Sequence, residues 1–148
     1  MKFVAAGIFT VIAITSIGFW GWNALFPQFY ADPNNVTQVN RGQIVYQQYC
    51  ASCHGKNLEG HSDWRYRKPD GRLPAPPHDE TGHTWHHADK HLVEVTKYGP
   101  GKFVSGEYKS DMPAFEGSLP DKDIWAAIAY IKSTWPPEIL ARQSKTNR

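Results

Sequence analysis

Two cysteines and a histidine stand in the pattern C-x-x-C-H at Cys50, Cys53 and His54. In this pattern the two thiols can bond covalently to the vinyl groups of a haem, and the adjacent imidazole can bind its iron. A chain that binds a haem through three neighbouring residues has to fold its domain around that haem. The motif therefore predicts one covalently bound haem c as the cofactor.

Paired cysteines also occur in zinc sites and in redox-active pairs. The two thiols of the motif could join a histidine pair in a Cys₂His₂ zinc site, with His83 and His87 or with His87 and His91. That interpretation leaves the motif histidine and the downstream methionine without a function. A thioredoxin-like pair would need alternating strands and helices around it, and the sequence does not show them. Haem binding accounts for more of the sequence than either alternative.

Met112, in the segment SDMPAF, is the only methionine besides Met1. Its thioether is a soft neutral ligand that raises the reduction potential of a haem relative to ligation by two histidines. Pro113 restrains the backbone directly after it. The six histidines other than His54 leave bis-histidine ligation open. We expect His54 and Met112 to be the two axial ligands of the iron.

The N-terminal segment carries no charged residue from Phe3 to Trp22, a length that spans a bilayer as a helix. Aromatic residues follow, where rings favour the membrane interface, and Pro27 ends the helix. Residues 1–30 are therefore predicted to be an anchor and its interface, with residues 3–26 in the membrane. A cleaved secretory signal is the alternative, but the small residues that cleavage requires are not suitably placed. With Lys2 inside, we expect a single pass through a bacterial inner membrane and a periplasmic haem domain.

Charge and composition limit the remaining possibilities. The formal net charge is only +2, from 16 basic and 14 acidic side chains, so nucleic acid is not an expected partner. The 11 prolines and 12 glycines favour short helices joined by long loops over a continuous sheet. The chain is long enough for one compact domain and one appended segment.

The order of these parts resembles the class I cytochrome c family from about Val36 to Trp135. An amphipathic helix precedes CASCHG, and LPAPP, a short helix, MPAF and the closing helix IWAAIAYIKS follow it. The resemblance implies an all-α cytochrome c fold of about three to four short helices around one covalent haem. The apolar segment adds one transmembrane helix before that fold.

The same resemblance implies two sets of contacts. In the family the first and last helices cross at right angles, which here would bring Gly42 and Tyr46 against Ala127 and Tyr130. Family members also use a carbonyl of the proline loop to accept the second N–H of the iron-binding imidazole. In this chain Pro76 and Pro77 are the candidates for that carbonyl.

Two segments depart from the simplest family pattern. The loop from Lys56 to Thr84 is long and rich in charged and aromatic residues, which suits a solvated loop or a docking patch. The tract HDETGHTWHHADKH can bind copper or zinc, but its end also begins a predicted helix from about Ala88 to Tyr98, closed by Gly99. The histidines of this tract are His78, His83, His86, His87 and His91.

The predicted organisation is an anchor at 1–30, a linker at 31–35, a cytochrome c domain at 36–137 and a basic C-terminal tail at 138–148. We expect a respiratory one-electron carrier and not an enzyme. It would accept electrons from a quinol-oxidising complex or a dehydrogenase and pass them to a terminal oxidase, swinging on its linker. The alternatives are a fixed cytochrome c subunit of an oxidase or dehydrogenase complex, a haem enzyme or gas sensor with an open iron position, and a copper-handling protein.

Overall fold

The structure is a computed structural model that describes residues 29–147. Between these residues the chain forms no strand, and its regular structure consists of five α-helices and two 3₁₀ turns. The helices are α1 (Val36–Tyr49), α2 (Ala51–His54), α3 (Asp89–Tyr98), α4 (Asp121–Ser133) and α5 (Pro137–Ser144), and the 3₁₀ turns are Thr84–His86 and Pro100–Phe103. The described part is therefore all-helical, as the sequence predicts. It has more than three to four helices because the one-turn α2 and the C-terminal α5 are separate elements.

The predicted transmembrane segment at 3–26 and Pro27 lie outside the described residues, and of the predicted interface only Phe29 and Tyr30 lie within them. Among residues 29–147, no helix has both the length and the apolar content that a membrane crossing requires.

Helices α1 and α4 form the centre of the domain. Asn35 caps the first turn of helix α1, since its side chain accepts a hydrogen bond from the Gln38 backbone N–H at 3.1 Å. Gly42 lets the two helices approach, because a Cβ at this position would overlap the Ala126 carbonyl of α4. One turn further on, the rings of Tyr46 and Tyr130 lie 5.5 Å apart. Tyr46 thus faces Tyr130 as predicted, whereas Gly42 faces Ala126, one residue before the predicted Ala127.

The core of the domain lies around α4. Its isoleucines and alanines are almost fully buried, and Trp135 just beyond its end is 5% exposed. At the start of α4, the Arg41 guanidinium of α1 forms two hydrogen bonds with the Asp123 carboxylate, at 3.0 and 2.6 Å. These contacts fix α1 against α4, and α1 carries the C-x-x-C-H motif at its C-terminal end.

The segment predicted as a flexible linker at 31–35 is attached to the domain. Ala31 is only 4% exposed, and its carbonyl accepts a hydrogen bond from Lys132 Nζ at 2.9 Å. The Gln38 side chain binds the residues before and after Ala31: it donates to the Tyr30 carbonyl at 2.8 Å and accepts from the Asp32 N–H at 2.9 Å. The buried ammonium of Lys132 needs several acceptors, and the backbone at Ala31 supplies one of them. This anchoring is long-range, so the local sequence gives no sign of it.

The predicted basic tail at 138–148 largely belongs to the folded domain. Pro137 occupies the first turn of α5, and the helix continues to Ser144. Gln143 is completely buried and donates to Asp89 Oδ1 at 2.6 Å and to the His87 carbonyl at 3.2 Å. The boundary predicted at 137 therefore falls at the start of a helix that packs on the domain.

Candidate functional site

The three residues of the motif follow α1 on a nearly continuous helical path. The Cys50 N–H donates to the Tyr46 carbonyl at 2.8 Å, and the His54 N–H donates to the Cys50 carbonyl at 2.9 Å. The buried Tyr46 hydroxyl then donates to the carbonyls of Gly55 at 2.9 Å and His54 at 3.3 Å. Helix α1 thus presents the motif and also holds the end of its turn.

The protonation of Cys50 bears on the alternatives to haem binding. Burial, with a smaller contribution from neighbouring Cys53, raises the pKa of the Cys50 thiol to about 11. Redox-active cysteines act as thiolates, and their sites lower the thiol pKa. A buried thiol with a raised pKa is the opposite of the environment that a thioredoxin-like pair requires.

The proline loop reaches the motif histidine because a glycine lets it approach. Gly60 has a φ of +61°, and a Cβ on it would collide with the backbone at the junction of Pro76 and Pro77. In this position the Pro76 carbonyl oxygen lies 2.8 Å from His54 Nδ1. Of the two predicted candidates, Pro76 makes the hydrogen bond, whereas the Pro77 carbonyl lies 3.5 Å from the Thr84 hydroxyl.

This hydrogen bond determines which ring nitrogen of His54 is available to a metal. A carbonyl oxygen only accepts, so Nδ1 must carry the proton and Nε2 keeps its lone pair in the neutral ring. Burial lowers the pKa of His54, and the contact with Pro76 opposes that effect only in part, which favours the neutral form. An iron ligand must be a neutral imidazole held by its second nitrogen, so the geometry of His54 fits a haem.

His78 also contacts the motif, and no sequence pattern predicts this contact. Its ring stacks on that of His54, with centroids 4.0 Å apart and planes inclined by 22°. Two ligands on opposite faces of one iron cannot stack in this way, because the macrocycle would lie between them. His78 is therefore not a partner for His54 in bis-histidine ligation. In the sequence, only its position directly after the proline loop sets His78 apart from the four other histidines of the tract. That position alone does not predict a contact with His54.

Met112 is half-buried and lies on a separate segment, and the residues that follow this segment are hydrogen-bonded to α3. The Phe115 N–H donates to the Thr96 carbonyl at 3.2 Å, and the Glu116 N–H donates to the Lys97 carbonyl at 2.8 Å. Phe115 also packs edge-on against Tyr49, the residue before Cys50, with ring centroids 6.1 Å apart. The segment that follows Met112 is therefore in contact with the helix that leads into the motif.

On its other side, the Met112 segment is linked to the long charged loop. Asp111 lies 3.2 Å from Lys68 Nζ and 2.9 Å from Arg72 Nε. The Arg72 contact is an ion pair without hydrogen-bond alignment, since its Nε–H has no partner in hydrogen-bonding geometry. Within the loop, Arg65 lies over the Trp64 ring at 4.0 Å. Part of the predicted solvated loop or docking patch is thus engaged with the protein itself.

The remaining histidines of the tract form ring contacts. His83 stacks on Trp64 at 5.2 Å, and His87 lies 5.6 Å from His83 and 5.0 Å from His91 between ring centroids. Across residues 29–147, no group of three or more histidine, cysteine, aspartate or glutamate side chains is arranged to hold a metal ion. The described part of the chain therefore gives no support to the zinc interpretation or to a copper site in the tract.

Comparison with known proteins supports the interpretation of this geometry. The family model named Cytochrome c matches residues 39–135, which is well over half of the 148 residues. Searches of curated proteins and of solved structures found no match. The matched span contains the motif, the proline loop, Met112 and the closing helix. The chain accordingly belongs to the cytochrome c family, whose members bind haem c covalently and carry electrons.

Proposed function

We propose that this protein is a membrane-tethered respiratory electron carrier with one haem c, bonded to Cys50 and Cys53 and ligated by His54 and Met112. The observation that carries the proposal is the hydrogen bond from His54 Nδ1–H to the Pro76 carbonyl. It leaves Nε2 free on the residue that directly follows the second cysteine. When bound, the haem supplies a one-electron couple at its iron.

The residues of the chain prepare this couple in three ways. Cys50 and Cys53 would fix the macrocycle by covalent bonds, while Pro76 keeps His54 in one tautomer and makes it a stronger donor. Met112 would provide a soft ligand that favours the ferrous state.

Covalent attachment can be tested in membranes from cells that express the full chain with haem-maturation factors. We expect haem stain at the size of the protein after denaturing electrophoresis, and none in a variant with Cys50→Ser and Cys53→Ser. Haem that separates from the wild-type chain under denaturing conditions would contradict the proposal. Running the soluble fraction of the same cells on the gel tests the anchor, since stain confined to that fraction would argue against residues 3–26 in the membrane.

The axial methionine can be tested by optical spectroscopy of the oxidised protein. Thioether ligation of ferric haem gives a weak charge-transfer band near the red end of the visible spectrum, and Met112→Ala should abolish it. The substitution should also lower the reduction potential, because a ferrous-stabilising ligand is lost. Pro113→Ala, which changes the neighbouring residue but keeps the thioether, is the matched control. Absence of the band from the wild type would show that Met112 is not the ligand.

The proposed partners are a quinol-oxidising complex or dehydrogenase as donor and a terminal oxidase as acceptor, on the periplasmic side of a bacterial inner membrane. This part of the proposal rests on the apolar N-terminal segment and on the electron-carrier family. Spectra of membranes given a quinol donor would test it. Reduction of the haem that is followed by reoxidation in air is expected, and an inert haem would contradict it.

A fixed subunit of an oxidase or dehydrogenase complex is the second candidate, and one observation favours it. Tyr30, Ala31 and Asp32 are all hydrogen-bonded to the domain, which leaves little free chain after the predicted anchor. A short tether restricts how far the haem domain can travel between partners. Co-purification with a stoichiometric partner in mild detergent would establish the fixed subunit and exclude the shuttle.

A further inference from the structure

The hydrogen bond to Pro76 does not fully fix the plane of the His54 ring. One hydrogen bond sets the direction of Nδ1, but the ring can still tilt about the line that joins Nδ1 to the carbonyl oxygen. A second contact on the face of the ring is needed to prevent that tilt. His78 supplies such a contact, stacked at 4.0 Å with only 22° between the two planes.

His78 is itself held by its backbone on both sides. Its N–H donates to the Leu58 carbonyl at 2.7 Å, and its carbonyl accepts from Trp135 Nε1 at 2.7 Å. Leu58 is buried and is the only non-glycine residue among residues 29–147 with a positive φ, +67°. The surrounding structure keeps Leu58 in this unfavourable conformation, which aims its carbonyl at His78.

The His78 side chain is fixed as well. Its Nδ1 shares a hydrogen bond of 2.7 Å with the hydroxyl of Thr84, a residue that is 5% exposed. The ring of Tyr46 meets it edge-on, with centroids 6.3 Å apart and planes at 74°. A leucine or alanine could fill part of this space, but neither would offer a flat face whose plane is set by a hydrogen bond.

We infer that His78 is a positioning residue for the iron ligand, and that its ring, oriented by Thr84, sets the plane of the His54 imidazole. This inference rests on the proposed function, since it requires His54 to bind iron. The plane of an axial imidazole determines how unpaired spin is distributed over a ferric haem. Without the stacked ring, the imidazole can also swing out of line with the Pro76 carbonyl, which weakens that hydrogen bond, makes the imidazole a poorer donor and raises the reduction potential.

The test uses the haem-loaded full chain in its oxidised form. In His78→Ala we expect a changed order and spread of the haem-methyl proton resonances in the paramagnetic NMR spectrum, and a raised reduction potential. Thr84→Val, which keeps both rings, should move both quantities in the same direction by a smaller amount. His78→Phe keeps a flat ring but loses the hydrogen bond to Thr84, so it should resemble Thr84→Val and differ less from the wild type than His78→Ala does. His86→Ala is the matched control, because His86 is exposed and stacks on Trp85, and it should change neither quantity.

Several outcomes would overturn the inference. A wild-type methyl pattern and potential in His78→Ala would show that the stacked ring has no positioning role. Equal changes in His78→Phe and His78→Ala would show that the flat face is not what matters. If His78→Ala does not fold, Thr84→Val decides alone, and an unchanged pattern in it counts against the role of the hydrogen bond. A wild-type chain without a low-spin, histidine-ligated spectrum would refute the proposed function itself, whereas the other outcomes leave that function intact.

Discussion

Gly42 shows how a single residue determines the central helix contact. The α1 and α4 backbones approach so closely here that a Cβ would overlap the Ala126 carbonyl and lie 2.9 Å from Tyr130 Cβ. A backbone carbonyl cannot move aside without shifting its helix, so any side chain at this position forces the helices apart.

Gly42→Ala should lower the free energy of unfolding. Alanine gains about 1 kcal/mol in helix propensity, but overpacking against backbone costs about 3 kcal/mol, so we expect a net loss of about 2 kcal/mol. Denaturant unfolding of the haem-loaded chain measures it. Gln43→Ala, one exposed residue further along α1, should change stability by less than about 0.5 kcal/mol. A Gly42→Ala variant as stable as the wild type would contradict the close approach.

The Tyr46 hydroxyl is the polar group that connects α1 to the end of the motif turn. Tyr46→Phe keeps the packed ring but removes the donor to the Gly55 and His54 carbonyls. We expect a loss of about 1 kcal/mol, the net value of one buried hydrogen bond. Tyr66→Phe on the exposed loop is the comparison and should have no measurable effect, since that side chain is 73% exposed. Equal effects of the two substitutions would mean that the Tyr46 hydroxyl does not support the turn.

At the scale of elements, a buried polar cluster joins three helices and the first described residues. Lys132 of α4 donates to Asp89 Oδ2 at the start of α3 at 2.6 Å and to the Ala31 carbonyl at 2.9 Å. Gln143 of α5 donates to the other Asp89 oxygen at 2.6 Å. Every charge in the cluster is therefore paired, which is the condition for burying it.

Lys132→Met should be strongly destabilising because it leaves the Asp89 carboxylate buried beside only the Gln143 amide. Breaking one partner of a buried pair costs about 3–5 kcal/mol. The double variant with Asp89→Asn should recover part of that loss in denaturant unfolding. Lys122→Met on the exposed side of α4 serves as control and should shift stability by less than about 0.5 kcal/mol. If the two lysine variants behave alike, the cluster does not stabilise the domain.

At the scale of the whole molecule, the histidines make stability depend on pH. Partial loss of hydration around the rings of His83 and His87 lowers their pKa below the ordinary 6.5, and nearby histidines, with Arg65 beside His83, add to that effect. The unfolded chain therefore binds more protons than the folded chain just below pH 6.5. Stability is highest above this pH and declines as the pH falls through 6.5 and below.

We expect the denaturant concentration at the unfolding midpoint of the haem-loaded chain to decrease as the pH is lowered from about 7.5 to about 5.5. A variant with His83→Asn and His87→Asn should show a flatter profile over the same range. A second decline is expected below pH 3.8, because the hydrogen bond and charge of Arg41 lower the pKa of Asp123 and the folded state holds this carboxylate ionised. A wild-type profile that is flat down to pH 5 would rule out the histidine contribution.

Sequence patterns located most of the elements. The predicted helix from about Ala88 to Tyr98 is observed at Asp89–Tyr98, and the closing helix ends at Ser133, shortly before the prolines that predicted its end. Helix α5 was missed because two prolines normally end a helix, and here the second of them starts a new one. The anchoring of Ala31 was missed because its partner, Lys132, is 101 residues away.

The sequence by itself determined the C-x-x-C-H motif, the end of α3 at Gly99 and the all-helical class, since these depend on residues that are neighbours along the chain. Only the tertiary structure decided that Pro76 rather than Pro77 faces His54, that His78 stacks on that ligand, and that Lys132 is buried with Asp89. These contacts join residues 22 to 43 positions apart in the chain. Such contacts depend on the packing of α3 against α4 and on the close approach at Gly60, and no local pattern encodes them.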